Sequence, residues 1–395
     1  MINREVVILS AVRTPIGKFG GALKEIPPTE LAANVVRESV KRSGLSSSEI
    51  GNLVFGNVIH TDAKDIYFSR VAALRGGLPV ETPALTVNRV CGSGLQAIVT
   101  AMGAIARGDS DTAVAGGAES MSRSPYWLSA VRWGARMNDA VAVDVLVAAL
   151  TDPFEEVHMG ITAENVARKW SISRQEQDEL AVESHRRANC AIVTGRFKSQ
   201  IVPVELKSRK GSTWFDTDES PRDDATMENL TRLKPVFDKD GTITAGNAST
   251  INDGAAAVVL MEERAAQERG LKPIARLVDY AVTGVEPGVM GIGPVSAVKK
   301  LYERTGLTND DIDVFEANEA FAAQVLAVRK ELGLPPEKTN PNGSGISLGH
   351  PLGATGAIVT VKAIHELHRI GGKYALVTMC IGGGQGIAAI LQSMN

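Results

Sequence analysis

The feature that most constrains the fold of this chain is an internal repeat. Lys41-Arg42-Ser43-Gly44-Leu45 matches Glu303-Arg304-Thr305-Gly306-Leu307, an offset of 306 − 44 = 262. Ile50 falls opposite Ile312, Gly92-Ser93-Gly94 opposite Ala354-Thr355-Gly356, and Ala113 opposite Ala375, all in that register. A register kept from Lys41 to Ala113 without drift implies two copies of one supersecondary unit. Short apolar β-rich runs at 6–9, 84–87, 112–115, 313–316 and 375–379 alternate with helical patterns at 31–42, 95–107 and 358–368. This alternation predicts an α/β protein whose sheets are covered on both faces.

The repeat divides the chain. We expect a front half at 1–121, completed by the Gly/Ala-rich turn and strand at 245–270, and a rear half at 271–395. Between them, 122–244 carries an amphipathic helix at 174–194 and a polar stretch at 207–233 containing Lys210-Gly211, and reads as an insertion with its own helices. At 395 residues the chain exceeds what one core ordinarily organises.

Composition excludes several classes. A net charge of −3 supplies no long-range attraction for nucleic acid or an anionic bilayer, so an anionic ligand needs a local site. No uninterrupted apolar run approaches the roughly 18–20 residues of a spanning helix. Three cysteines, Cys91, Cys190 and Cys380, are an odd number that fits a reducing compartment. With neither a leader pattern at the start nor a retention address in the final QSMN, cytoplasm is the expectation.

Cys91 sits between a strand and a helix in Asn88-Arg89-Val90-Cys91-Gly92-Ser93-Gly94. Helix N-terminal amides favour an anion, so a thiol there is expected to ionise readily and act as a nucleophile; a small buried apolar cysteine is the alternative. His350, in Leu348-Gly349-His350-Pro351-Leu352-Gly353, occupies the equivalent rear turn, since 353 − 91 = 262. Packing of the two halves about a pseudo-twofold axis would pair it with Cys91. Cys380 ends a strand and opens the glycine loop Ile381-Gly382-Gly383-Gly384-Gln385-Gly386, which is either an oxyanion hole or only a tight turn. Asn318 follows a strand end, where it orients a water or a histidine, or caps a helix. His185, Cys190, His365 and His368 read as structural, and no spacing suggests a metal.

Seven segments in order, NRVCGSGLQAI, GGAESMSRSPY, HMGITAENVA, AGNASTINDGAAA, NEAFAAQ, GHPLGATGA and CIGGGQG, resemble the thiolase superfamily, and most of all its acetyl-CoA acetyltransferases (acetoacetyl-CoA thiolases). The resemblance implies two β-α-β-α-β-α-β-β halves in five layers, α-β-α-β-α, with an inserted loop domain at 122–244 that binds coenzyme A. It implies an acyltransferase of fatty acid metabolism that condenses two acetyl-CoA to acetoacetyl-CoA and CoA, with no cofactor beyond coenzyme A as substrate or product. Cys91 would carry the acetyl group, and His350 would deprotonate it. Asn318 would hold a water at one oxyanion site, the amides of Cys91 and Gly382 would form another, and Cys380 would move the α-proton. Arg222 would lie near the nucleotide and Ser249 near the pantetheine, with His158, Met159, Ala320 and Phe321 around the acyl group. Thr250 stands where the family usually has glycine, and Ser344-Gly345 where it has Gly-Ala. A degradative 3-ketoacyl-CoA thiolase of longer chain length is the neighbouring reading, and a catalytically silent acyl-CoA-binding protein the reading of another class. The resemblance also implies a homotetramer, a dimer of dimers, with an assembly loop within 131–147.

Overall fold

The computed structural model describes residues 4–209 and 211–394. Met1 to Asn3, Lys210 and Asn395, which fall within the expected segments, lie outside the described residues. The front half runs β1 (Val6–Arg13), α1 (Pro28–Ser43), β2 (Leu53–Gly56), α2 (Phe68–Arg75), β3 (Ala84–Val87), α3 (Ser93–Arg107) and β4 (Thr112–Ser120). After α4 (Met159–Trp170) and α5 (Arg174–Val193) comes β5 (Asn252–Glu262), which pairs antiparallel with both β4 and β1. The rear half runs β6 (Ala275–Gly284), α6 (Gly293–Thr305), β7 (Val314–Ala317), α7 (Ala322–Leu332), α8 (Leu352–Ile370), β8 (Tyr374–Ile381) and β9 (Gln385–Ser393).

The strands alternate sides residue by residue, and this alternation builds the layers. On β5, Ala256, Val258 and Leu260 pack with Leu95, Ile98 and Ile105 of α3 and with Ile358, Val361 and Ile364 of α8. Ala255, Ala257 and Val259 face the other way, onto Leu31, Val35 and Val36 of α1. In the rear half, Phe315, Leu376, Ala388 and Ile390 meet Val298 and Leu301 of α6. The layers are therefore helices, front sheet, the central pair α3 and α8, rear sheet, helices. The stretch Val90–Arg107 is long and apolar enough by composition to span a bilayer, and it is this central helix of the core with its lead-in turn.

Repeat-related residues behave alike. Gly44 and Gly306 both end their helices in left-handed backbone, φ 80° and 70°. Ser46 with Glu49, and Thr308 with Asp311, form matching capping boxes 262 residues apart. The central helices cross where a Cβ on Gly94 would lie 2.7 Å from the Ala357 nitrogen and one on Gly356 would lie 2.3 Å from the Leu95 nitrogen. These two glycines are themselves repeat mates, 356 − 94 = 262.

Two features depart from the simple duplication. The two halves do not keep separate sheets: β1 and β6 pair at Val7↔Arg276 and Ile8↔Ala275, which joins the nine strands, with the two-residue strand Gly17–Lys18 paired to β5, into one ten-stranded mixed sheet. The rear half also abbreviates its third strand. Residues 346–349, repeat-related to β3, fall in and just after the helical turn Gly345–Leu348, and among the described residues only the parallel bridge Phe315↔Thr339 extends the sheet beyond β7.

The inserted segment is pinned to the front half by a buried ion pair. Arg13 and Asp218 side chains are both 0% exposed. Arg13 Nη1 and Nη2 donate to the two carboxylate oxygens at 2.7 and 2.8 Å, Nε donates to Gln200 Oε1 at 2.7 Å, and Ile16 N donates to Asp218 at 2.8 Å. Elsewhere the insertion carries two short hairpins, Tyr126–Trp127 with Val143–Asp144 and Val204–Ser208 with Gly211–Phe215.

Candidate active site

Cys91 is presented by a strained turn. Val90, a β-branched residue, has φ +47°, and the turn is held by Ser93 Oγ, which donates to Val90 O at 2.6 Å and accepts from Arg89 N at 2.9 Å. Gly92 lets the turn close on the rear half, since a Cβ there would come 2.7 Å from Ile381 Cδ1. Arg89 donates to Gln385 Oε1 across the same junction at 2.7 Å. The expectation of an easily ionised thiol is reversed. Burial pushes Cys91 up to about 11, and the charge of Glu119 adds to that, although the amides of Gly382 and Cys91 hydrogen-bond the sulfur and pull the other way.

His350 rises from Gly349, whose φ of +111° and 2.4 Å approach to Asn252 leave no space for a Cβ. Its backbone N donates to Asn252 Oδ1 at 2.9 Å. Thr355 Oγ1 lies 2.7 Å from His350 Nδ1 and donates to Pro351 O at 2.9 Å, so it accepts from Nδ1–H and leaves the lone pair on Nε2. Burial pushes His350 down to about 4, so the ring is neutral at pH 7. Cys380, at the end of β8, is 1% exposed, and burial followed by the proximity of Cys91 raises its thiol well above the usual range.

Cys91, His350, Cys380 and Gly382 line one cavity of about 300 Å³. His158, Met159, Ser249, Ala320 and Phe321 share its wall. His158 caps α4 by accepting from Gly160 N at 3.0 Å, and its ring stacks on Phe237 at 4.5 Å. Ser249 N donates to Ala320 O at 3.0 Å, which fixes the front and rear walls together. Two expected residues stand outside the cavity. Asn318 lies behind His350, its Nδ2 3.5 Å from Nε2 and its buried Oδ1 without a partner. Arg222 lines a neighbouring cleft of about 580 Å³ with Lys18, Phe19 and Ser220; the cleft and the cavity share Phe237, Ala248, Ser249, Thr250 and Ile251. His185, read as structural, accepts from Arg222 N at 3.1 Å and so shapes that cleft.

The glycine loop proves to be both a tight turn and an amide donor: Gly383 and Gly384 take φ 80° and 85°, while Gly382 N reaches the Cys91 sulfur. Sequence reasoning missed Thr355, Asn252, Phe237 and Glu119. The repeat contained the signal for Thr355, since 355 − 93 = 262 makes it the mate of Ser93, and both hydroxyls brace their turns. Among the described residues no group of three His, Cys, Asp or Glu side chains is placed to hold a metal.

Comparison with known proteins identifies the family. The thiolase N-terminal domain model matches residues 6–264 and the thiolase C-terminal domain model residues 271–393. Beta-ketothiolase BktB of Cupriavidus necator is 63% identical over 392 residues, covering 99% of this chain and 100% of that protein. The crystal structure of Bacillus anthracis acetyl-CoA acetyltransferase superposes with a TM-score of 0.97 at 48% identity, covering 99% of each chain. That of human mitochondrial 3-ketoacyl-CoA thiolase in complex with CoA does so with 0.97 at 43% identity, covering 100% of this chain and 99% of that one. The chain belongs to the thiolase family of acyltransferases.

Proposed function

We propose that the protein catalyses the reversible condensation of two acetyl-CoA molecules to acetoacetyl-CoA and CoA, through an acetyl group carried on Cys91. The observation that carries this reading is the convergence of Cys91, His350 and Cys380 on one cavity. His350 Nε2 accepts the Cys91 thiol proton as sulfur attacks the thioester carbonyl. The developing oxyanion meets the Cys91 and Gly382 amides, and CoA leaves with the proton of Cys380 while His350 Nε2 keeps that of Cys91. A second acetyl-CoA enters, the Cys380 thiolate takes its α-proton, and the enolate oxygen accepts from His350 Nε2–H and from a water on the unpartnered Asn318 Oδ1. The carbanion attacks the acetyl-cysteine, the C–S bond breaks to release acetoacetyl-CoA, and the Cys91 thiolate takes its proton back from His350 Nε2. Both thiols are held protonated by burial, so each ionises only as its partner atom changes charge, which confines the reactive anion to the reaction itself.

The neighbouring cleft supports a CoA site assembled from the insertion at 122–244 and the start of the front half, with Arg222 and Lys18 beside the nucleotide and Ser249 beside the pantetheine. A short acyl group is favoured by the wall beyond Cys91, where buried Ile59, Met121, Val145, Leu146 and Leu352 close together. The second reading, a 3-ketoacyl-CoA thiolase for longer chains, draws on the wholly apolar character of that wall and on the name of the Cupriavidus necator relative. Thiolysis rates with acetoacetyl-CoA and 3-ketohexadecanoyl-CoA separate the two, and faster turnover of the long substrate rejects the first. Radiolabel from acetyl-CoA retained on the wild type and lost in Cys91→Ala tests the intermediate; full thiolysis by that variant rejects the mechanism. The exposed apolar side chains of Trp127, Leu128, Val131, Trp133 and Met137 support further copies of the chain as their cover, in a homotetramer. Light scattering of the purified protein checks that assembly.

A further inference from the structure

Glu119, at the end of β4, is 0% exposed and takes no part in the chemistry above. Its carboxylate accepts four hydrogen bonds, all from N–H groups. Ile59 N and Asn57 Nδ2 reach Oε1 at 3.1 Å each, Val58 N reaches Oε2 at 3.1 Å, and Gly353 N reaches Oε2 at 2.8 Å. The first three donors belong to the front half and follow β2. The fourth belongs to the opening turn of α8, three residues beyond His350, and lies 234 residues away in sequence. A charged acceptor at a helix N-terminus makes the stronger kind of hydrogen bond, and no neutral isostere can accept all four.

The surrounding backbone is cut to fit this carboxylate. A Cβ on Gly353 would come 2.8 Å from Glu119 Oε2, and one on Gly117 would come 2.0 Å from Gly353 O. Ile59 and Leu352, which flank the two ends of the tie, pack in the same cluster as Cys91. Burial pushes the Glu119 acid up to about 8, but all four of its partners are N–H donors and none accepts a proton, so the geometry favours the carboxylate, whose charge acts on the Cys91 thiol. The titratable groups that interact with it are Asp253 on β5 and Cys91 before α3. The other front-half hold on the His350 turn is Asn252, so the imidazole is set by one tie on each side.

We propose that Glu119 is a positioning residue for acyl transfer, whose carboxylate anchors the Gly353 amide to the loop at 57–59 and thereby sets His350 against Cys91. This rests on the acyl-transfer reading above. The test compares Glu119→Gln and Glu119→Asp with the wild type in acetoacetyl-CoA thiolysis, measuring kcat, KM for CoA and the rate of acetyl-Cys91 formation. Gln must turn its NH2 toward two N–H donors, either Asn57 Nδ2 and Ile59 N or Val58 N and Gly353 N, and so loses two of the four bonds and weakens the tie. We expect kcat and acetylation to fall by about 100-fold, the loss that a displacement near 1 Å produces, with KM for CoA within about threefold. Asp keeps the charge one methylene short and is expected to recover part of kcat. Wild-type kcat in a folded Glu119→Gln overturns the proposal, as does a KM increase that accounts for the whole loss. If Gln does not fold, Asp decides by the same two measurements, and failure of both to fold also overturns the assignment, because the carboxylate is then only part of the scaffold. An inactive wild type would instead refute the function itself.

Discussion

Replacing Arg13 by Met isolates what the buried ion pair contributes to holding the inserted segment. The substitution preserves most of the apolar stem but removes every donor of the guanidinium. Among the described residues Asp218 would keep Ile16 N alone as a hydrogen-bond partner, at 0% exposure, and Gln200 Oε1 would lose the 2.7 Å bond from Nε. Leaving one charge of a buried pair uncompensated costs about 3–5 kcal/mol. The double variant Arg13→Met/Asp218→Leu removes both charges and fills the space with carbon, so it is expected to recover most of that loss. Urea denaturation of the four proteins of the cycle, at one fixed protein concentration, measures both quantities. Residues 219–222 follow Asp218 directly into the cleft that holds Arg222, so the single variant should raise KM for CoA while acetylation of Cys91 at saturating acetyl-CoA stays near wild type. A single-variant loss below about 1 kcal/mol, or a double variant no more stable than the single, would refute this reasoning.

Three further outcomes follow from the same physics. Because burial pushes Cys91 up to about 11, alkylation by iodoacetamide should accelerate about tenfold per pH unit up to pH 9. A plateau already reached at pH 7 would mean a standing thiolate. Gly117→Ala should lower stability by about 1–3 kcal/mol and kcat with it, because the added methyl would meet Gly353 O; thermal unfolding and turnover check both. Burial pushes His365 down to about 4, below its unfolded value of 6.5, so the unfolded chain binds the extra proton and stability is lost as pH falls through that window. Relative to His365→Gln, the wild type should lose about 3 kcal/mol between pH 7 and pH 4, and equal pH dependence of the two would contradict the assignment.

The architecture was legible because duplication writes it twice. The alternation located β3 at its observed bounds and α3 to within two residues, and the 262-residue register paired the Cys91 turn with the His350 turn before any coordinate. What the sequence hid depends on contacts between distant residues. Glu119 and Gly353 meet only after folding, as do Arg13 and Asp218, and nothing in either local segment announces the partner. The acidity of Cys91 escapes the sequence for the same reason: the helix N-terminus is local, whereas the burial that outweighs it comes with residues distant in the chain, Ile59, Met121, Val145, Leu146 and Leu352. The missing rear strand escaped because the register assigns a strand to 346–349, while the chain there coils into a turn that brings Gly345 beside Asn318.

The glycine crossing of the central helices has one more implication. Gly94 and Gly356 each press against the helix of the other, and each is the counterpart of the other in the duplication. The contact is self-complementary: a lone half would meet a second lone half through the same bare patch of backbone. The fused chain is thus geometrically a homodimer whose subunits have been spliced end to end, and neither glycine is free to diverge without its twin.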